Sequence, residues 1–460
     1  MGVHVDTPAP CAVADQRAAH LSQLRSAMSS VEMTLRLQRD WDYARNHGLD
    51  VIGCDLIRVM PRGPLEFVAE YRVHVAAADG PAMLGLFGEL VGENVHERHH
   101  EAVASLSKAR RKQISGPGPG DTVSYIAELG MILRLAGIDE KISGLRFVHK
   151  PRKAREILAP WIDTGGLKLK NVQPELLGHR LGKRCAIRFR YELKDRETGE
   201  HTPGSVFAKM YKRRSPRGAE LADTHTLLAG KGFTAGSDVR IPALVGYLPE
   251  WEMLLTEDVA GASLADLERE AFSRGVTMAA RAIARLHACD HRPEREHATS
   301  AETELLEGWV ALVGEVFADL RRTTADALEQ VRAELASISA APTSLVHRDF
   351  YEKQVIIDGD DTILLDFDTL CTADPAIDLG NFIAHIKLAR AKGIEVDADL
   401  EIAFLRAYLT GRDGAAGAVG EDFERRVDVY TRSTLLRLVC LYSFWPKFQG
   451  VPARLIEDLS

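Results

Sequence analysis

The stretch from Ser344 to His385 constrains this chain more than any other. It opens with His347-Arg348-Asp349, and five residues past Asp349 comes Gln354, entering the apolar run Val355-Ile356-Ile357. Asp358-Gly359-Asp360-Asp361 is a turn signal, and a second apolar run, Ile363-Leu364-Leu365, ends at Asp366. Two short apolar runs around a polar turn predict a β-hairpin. Such a hairpin brings Asp349, Gln354 and Asp366 together at the strand ends.

That set suits phosphoryl transfer, in which the protein supplies position and charge and little covalent chemistry. Asp349 can orient a hydroxyl and take its proton. Asp366 can hold Mg²⁺ against nucleotide phosphates, with the Gln354 amide oxygen as a further ligand; Mg²⁺ favours a few oxygen ligands plus phosphates. The stretch resembles the catalytic core of the aminoglycoside phosphotransferase family, small-molecule kinases that include choline kinase-like members and are related to protein kinases. The residues that carry the resemblance are His347, Asp349, Asp366 and Asp374-Pro375-Ala376-Ile377-Asp378-Leu379. Two positions depart from the family pattern. Gln354 stands where the family usually has Asn, some sugar kinases of the group, such as maltokinases, resembling this chain in having Gln, and Asp368 follows Phe367 where a protein kinase has Gly. The second departure, with no segment running on to Ala-Pro-Glu, argues against a protein kinase. Arg348 occupies a position where the family carries a smaller residue.

Upstream, Ser205-Val206-Phe207-Ala208-Lys209-Met210-Tyr211 reads as an apolar strand carrying one lysine. The resemblance implies that Lys209 pairs the α/β-phosphates of ATP and that Glu220, on the following helix, holds it. Gly178 and Gly182 lie in a hairpin where backbone can approach phosphates, although glycines in hairpins are commonly just turns. The run Met253 to Gly261 resembles the family's adenine hinge, with backbone near Glu257 to Val259 reading the base. His347 and Asp378 are expected to brace the catalytic loop, and His287 to be packed.

The resemblance implies a bilobal α+β protein-kinase-like fold, with a β-rich N-lobe over 166–260 and a helical C-lobe over 261–460. Residues 1–165 form a mixed α/β cap ahead of it. Two β-patterned regions match at an offset of 120: Leu56 with Leu176, Tyr71 with Tyr191, Phe87 with Phe207. Glu89 then stands at the position of Lys209. The alternatives are a duplicated N-lobe that lacks the lysine, or coincidence between two amphipathic β segments.

Other segments read as follows. Residues 1 to 20 are a loose arm, and a helical pattern runs from Leu21 to Trp41. Ser115 to Gly120 is a linker, Val123 to Leu135 and Leu145 to Trp161 are helical, and Gly411 to Gly420 is flexible. His96-Glu97-Arg98-His99-His100 matches the zinc-hydrolase pattern His-Glu-x-x-His, with His96 and His100 as ligands and Glu97 as base; the bland alternative is a polar helix.

A net charge of −8 excludes a global basic field, so nucleic acid is not an expected partner. Six scattered cysteines without a Cys-x-x-Cys pair fit reduced, buried thiols. No signal-peptide pattern or bilayer-length apolar run is present, so a cytoplasmic location is expected. The expected function is ATP- and Mg²⁺-dependent phosphorylation of a hydroxyl on a sugar, aminoglycoside or related small acceptor, with a mild tilt toward sugars. The rivals are a non-catalytic nucleotide-binding pseudokinase and the zinc hydrolase.

Overall fold

The computed structural model describes residues 10–63, 66–110, 122–338, 343–412 and 422–459. Helices Pro10–Met28, Ser30–Asp40 and Asp42–Asn46 lead into strands β1 (Asp50–Gly63), β2 (Glu66–Ala77) and β3 (Gly80–Leu90). Helix Val95–Arg110 follows, then β4 (Val123–Ile126) and β5 (Met131–Leu135). After helix Pro151–Leu158 come β6 (Lys168–Arg180), β7 (Arg184–Lys194), β8 (His201–Tyr211) and helix Arg217–Gly230. Strands β9 (Val239–Arg240), β10 (Leu244–Leu248), β11 (Met253–Glu257) and β12 (Ala262–Ser263) complete the β-rich part. The helical part contains Arg269–His287, Thr299–Val316, Arg321–Ser337, Ala376–Ala391, Leu400–Arg412, Phe423–Ser443 and Val451–Glu457. Between its helices lie β13 (Ser344–Val346), β14 (Val355–Asp358), β15 (Asp361–Leu364) and β16 (Cys371–Ala373). The architecture is the expected α+β one, a β-rich lobe followed by a helical lobe.

The two large sheets have one topology. The first runs β1-β2-β3-β5-β4 and the second β6-β7-β8-β11-β10, both antiparallel throughout. Each places a helix between its third and fourth strands in sequence, and a short 3-10 turn between its fourth and fifth. Even the residue closing that turn matches: Gly130 and Glu252 are both left-handed. Glu89 lies between Val68 and Ile132, as Lys209 lies between Ala186 and Leu254. The two sheets therefore match in connectivity, but the offset of 120 does not hold in register: Tyr71 pairs with Leu86, whereas Tyr191 pairs with Gly204.

Strand alternation assigns the faces. On β8, Val206, Ala208 and Met210 are buried against Leu145, Phe147, Ala154 and Leu158. Phe207 and Lys209 point the other way, into a cavity. On the first sheet, Tyr71, Val73, Leu86 and Leu133 join the main core, while Phe87 and Val68 face Leu181 in the β6–β7 turn.

Two sequence expectations are corrected. Residues 10 to 20 belong to a helix and not to a loose arm, residues 1–9 lying outside the described part. Val123 to Leu135 is two strands and not a helix. Its apolar spacing fits both periods, and Gly130, at φ 55, forces the reversal that separates the strands. The proposed linker at 115–120 and residues 413–420 of the Gly411 to Gly420 segment lie outside the described residues. Cys54, Cys185, Cys289, Cys371 and Cys440 are buried and unpaired as disulfides. Among the described residues, no helix is long and apolar enough to cross a membrane.

The helical lobe depends on close approach and on one buried acid. A Cβ on Gly380 would sit 2.6 Å from the backbone of Tyr430 and Thr431, so helix Ala376–Ala391 meets helix Phe423–Ser443 backbone to backbone. Glu302, 4% exposed, accepts hydrogen bonds from Ser433 Oγ at 2.6 Å and from His297 Nε2 at 2.9 Å. Burial works to raise its pKa. The His297 bond, the Arg437 charge and the Ser433 hydroxyl outweigh burial and hold the carboxyl at about 2.

Two predictions follow from this packing. Gly380→Ala gains about 1 kcal/mol of helix propensity but forces the helices apart, at a cost of about 1–3 kcal/mol. Urea unfolding is expected to show net destabilisation, and a stabilised variant would contradict the packing. The Glu302 pKa lies below its unfolded value of about 4.3, so its stabilisation is fully present above that value. It is lost as pH falls from there toward 2. Glu302→Gln is expected to be less stable at pH 7 and to show a shallower loss of stability across that acid window, as read by denaturant titrations at several pH values.

Candidate active site

The hairpin β14–β15 forms as the sequence predicts, with Val355 opposite Leu364 and Asp358 opposite Asp361. Leu365 N–H donates to Gln354 O at 2.9 Å, so the amide and Asp366 leave the hairpin side by side. Asp366 takes a left-handed backbone, φ 58, which turns its carboxylate toward the β-rich lobe. There Lys209 Nζ donates to Asp366 Oδ1 at 2.7 Å and lies 3.0 Å from Asp368 Oδ1.

Asp378 organises the loop that carries Asp349. Fully buried, it accepts His347 N–H at 2.7 Å, Arg348 N–H at 2.6 Å and His287 Nε2–H at 2.9 Å. His347 Nε2 donates to Leu365 O at 2.7 Å, which leaves Nδ1 to accept the Asp349 N–H at 3.4 Å. One imidazole tautomer thus joins the loop bearing Asp349 to the strand ending at Asp366. His347 and Asp378 brace the loop as expected. Burial pushes the Asp349 carboxyl above its ordinary range, with the Arg437 charge working against that shift.

A cavity of about 430 Å³ opens between the lobes. Gly178, Lys209, Glu257, Val259, Gln354 and Asp366, all named from the sequence, line it. Gly182 does not; its N–H donates to Asp139 Oδ2 at 2.5 Å. Burial pushes the Lys209 ammonium down to about 8, Asp366 opposing the shift and Arg184 reinforcing it. The Glu257 carboxylate is held by Arg240 at 2.9 Å and accepts Ala243 N–H at 3.2 Å, so the side chain is fixed away from reading a ligand.

Glu220 is a correction. It is half exposed and pairs with Arg217 at 2.8 Å, not with Lys209. Helix Arg217–Gly230 turns Leu221 and His225 to the cavity instead, and His225 Nδ1 donates to Pro242 O at 3.0 Å. Lys209 is held from the other side, by Asp366 and Asp368. Asp368 also pairs with Arg184 and accepts the Tyr211 hydroxyl at 2.7 Å. The residue that argued against a protein kinase is thus part of the charge network.

The first sheet reaches this site, which the sequence reading missed. Arg58 from β1 lines the cavity and is oriented by Glu70 at 2.7 Å. Leu181, at the tip of the β6–β7 turn, is buried against Met60, Val68 and Phe87. His179 sits edge-on to Phe87 at 5.0 Å and bonds Asp139 Oδ2 through Nε2 at 3.1 Å. Arg62 donates to Leu181 O. Asp139 and His179 side chains are 1% and 3% exposed. No spacing signal marks Arg58, Arg62 or Asp139, because each meets the turn across a long stretch of chain. The Glu89 face, which corresponds to the cavity face of β8, carries Arg134 bonded to Glu89 at 3.0 Å and to Glu140 at 2.7 Å.

The zinc reading finds no support in the geometry. His96 and His99 pack on Tyr125, each with ring centroids 4.7 Å apart, and His100 is exposed. Among the described residues, no group of three or more His, Cys, Asp or Glu side chains could hold a metal ion. Asp366 and Gln354 remain the pair able to hold a divalent cation, since both face the cavity and an amide plus a carboxylate leave room for phosphate oxygens.

Comparison with known proteins places the chain. No curated protein matches it. Among solved structures it is similar to a choline/ethanolamine kinase family protein from Mesorhizobium loti, at 16% identity over 66% of this chain and 99% of that one, TM-score 0.44. A choline kinase from Cryptosporidium parvum Iowa II matches at 11% identity over 67% of this chain and 94% of that one, TM-score 0.48. The aminoglycoside phosphotransferase APH(3'')-Id from Streptomyces rimosus matches at 19% identity over 62% and 99%, TM-score 0.38. The model of the phosphotransferase enzyme family matches residues 191–418, the span that holds Lys209, Asp349, Gln354 and Asp366. Over that span, just under half of its length, the chain is similar to the phosphotransferase enzyme family.

Proposed function

We propose that the protein is an ATP- and Mg²⁺-dependent kinase acting on a hydroxyl of a small-molecule acceptor. The observation that carries this reading is the meeting of Lys209 with Asp366, 157 residues apart, at 2.7 Å on a cavity that Gln354 also lines. Lys209 and Arg184 would hold the nucleotide phosphates, with the backbone from Glu257 to Val259 facing adenine. Asp366 and Gln354 would hold Mg²⁺, whose chemistry is to neutralise the phosphate charge that builds up in transfer. Asp349 orients the acceptor hydroxyl and takes its proton; its burial favours a carboxylate basic enough to do so. The acceptor oxygen forms the new P–O bond. The bond from the γ-phosphorus to the β–γ bridging oxygen breaks, and ADP leaves with that electron pair.

The first sheet and its helices form, on this reading, a lysine-less copy of the nucleotide-binding lobe. Its role is to cap the site and fix the β6–β7 turn. The matched sheet orders support the copy, and the Asp139 contacts support the role. A cytoplasmic location follows from the need for ATP.

ADP release on a panel of small hydroxyl acceptors tests the activity. Asp349→Asn is expected to lower turnover by about 10³-fold while Mg·ATP affinity stays within about threefold. Full turnover in that variant would remove Asp349 from its role. Asp139→Ala removes bonds to Gly182 and His179 worth about 1–2 kcal/mol. Fluorescent-nucleotide titration is expected to show affinity weakened roughly five- to thirtyfold; an unchanged affinity would mean the turn holds its shape without the cap.

A further inference from the structure

Among the described residues before β6, Arg58 is the one that lines the cavity between the lobes, in company with Gly178, His179, Arg180, Lys209 and Asp366. The strand registers fix where it enters. In the first sheet Arg58 lies opposite Glu70, and Glu70 lies opposite Phe87, so the three form one row across β1, β2 and β3. In the next row on that face, Met60 lies opposite Val68. Phe87 meets the His179 ring at 5.0 Å, and Met60, Val68 and Phe87 pack with Leu181. The face that bears Arg58 is therefore the face laid on the β6–β7 turn.

The second sheet gives the cavity a direction. Gly178, Ala186 and Lys209 form one row, and Arg180, Arg184 and Tyr211 form the next row on that face, toward the turn. On the other side of Lys209, Arg188, Phe207 and Thr256 form the row that leads to the backbone from Glu257 to Val259. A nucleotide with its base at that backbone has its phosphates at Lys209 and its last phosphate toward the turn. That is the end at which Arg58 enters.

The Arg58 guanidinium is arranged for an anion. Its Nε donates to Glu70 Oε2 at 2.7 Å, and among the described residues no hydrogen bond engages Nη1 or Nη2. A carboxylate at Nε fixes the plane of the guanidinium and leaves its terminal fork, the part that takes a phosphate through two parallel hydrogen bonds. Asp366, the carboxylate on the far wall, is already engaged: Lys209 donates to Oδ1 at 2.7 Å, and Arg184 lies 3.5 Å from Oδ2. A Cβ on Gly178 would meet nothing within 4 Å, so the wall between Arg58 and the Lys209 row is open.

We propose that Arg58 binds the terminal phosphates of the nucleotide, as a ligand supplied to the site by the module that precedes the kinase-like lobes. This rests on the small-molecule kinase reading and adds a binding residue to it. The first module touches the substrate and does more than hold the turn.

Calorimetric titration of the full chain, in Mg²⁺, with AMP, ADP and AMP-PNP in turn tests this. Arg58→Gln is expected to weaken AMP-PNP by about tenfold or more and ADP by less, and to leave AMP within about twofold of wild type. A role exerted only through the shape of the turn would weaken all three alike. A uniform loss, or no loss, overturns the proposal. Arg58→Lys keeps the charge and the stem without the fork, and is expected to weaken AMP-PNP by about threefold with AMP unchanged. Should Arg58→Gln fail to fold, as read by thermal unfolding, Arg58→Lys decides by the same criterion. A wild type that binds none of the three nucleotides removes the kinase reading and the role of Arg58 together. A wild type that binds them, with an even loss or none in the variants, removes the role of Arg58 alone.

Discussion

The contact on which the central cavity depends is made outside it. Asp139 is buried and accepts hydrogen bonds from the backbone of Gly182 and Lys141, and it bonds His179 as well. Burial works to raise its pKa, and the His179 and backbone bonds outweigh that and keep it ionised. A buried carboxylate is tolerated only when so fully satisfied. Its partners His179 and Gly182 lie at the β6–β7 turn beside the cavity that His179, Arg180 and Arg184 line, so the turn is held by the segment after β5 and not by its own strands alone.

That arrangement gives the matched sheets a division of labour. In the second sheet, the face with Phe207 and Lys209 borders an open cavity. In the first, the face with Phe87 and Glu89 is filled: Leu181 packs on Phe87, and Arg134 neutralises Glu89. The same strand order thus serves once to leave a space and once to receive the turn that bounds it. Where the second sheet carries Lys209, the first carries Glu89 paired with Arg134.

How much of this was legible in the sequence follows from separation along the chain. The β14–β15 hairpin and its three polar groups were readable because a local turn signal fixes them. Lys209 was readable because a lone cation in an apolar strand is conspicuous. Glu220 was misplaced because helix phase, not spacing from the lysine, decides which residue faces the cavity; Leu221 and His225 took that face. Val123 to Leu135 failed because short buried strands mimic a helical period. Arg58 and Asp139 come from separate elements, and no local pattern unites them before the chain folds.

The Lys209 pairing has a further consequence. In kinases whose lysine is held by a helix carboxylate, swinging that helix outward breaks the pair and silences the enzyme. Here Glu220 faces solvent, and Lys209 is anchored within the catalytic hairpin itself. A movement of helix Arg217–Gly230 leaves the ammonium where it is. The Lys209–Asp366 pair is therefore not tied to a carboxylate of that helix.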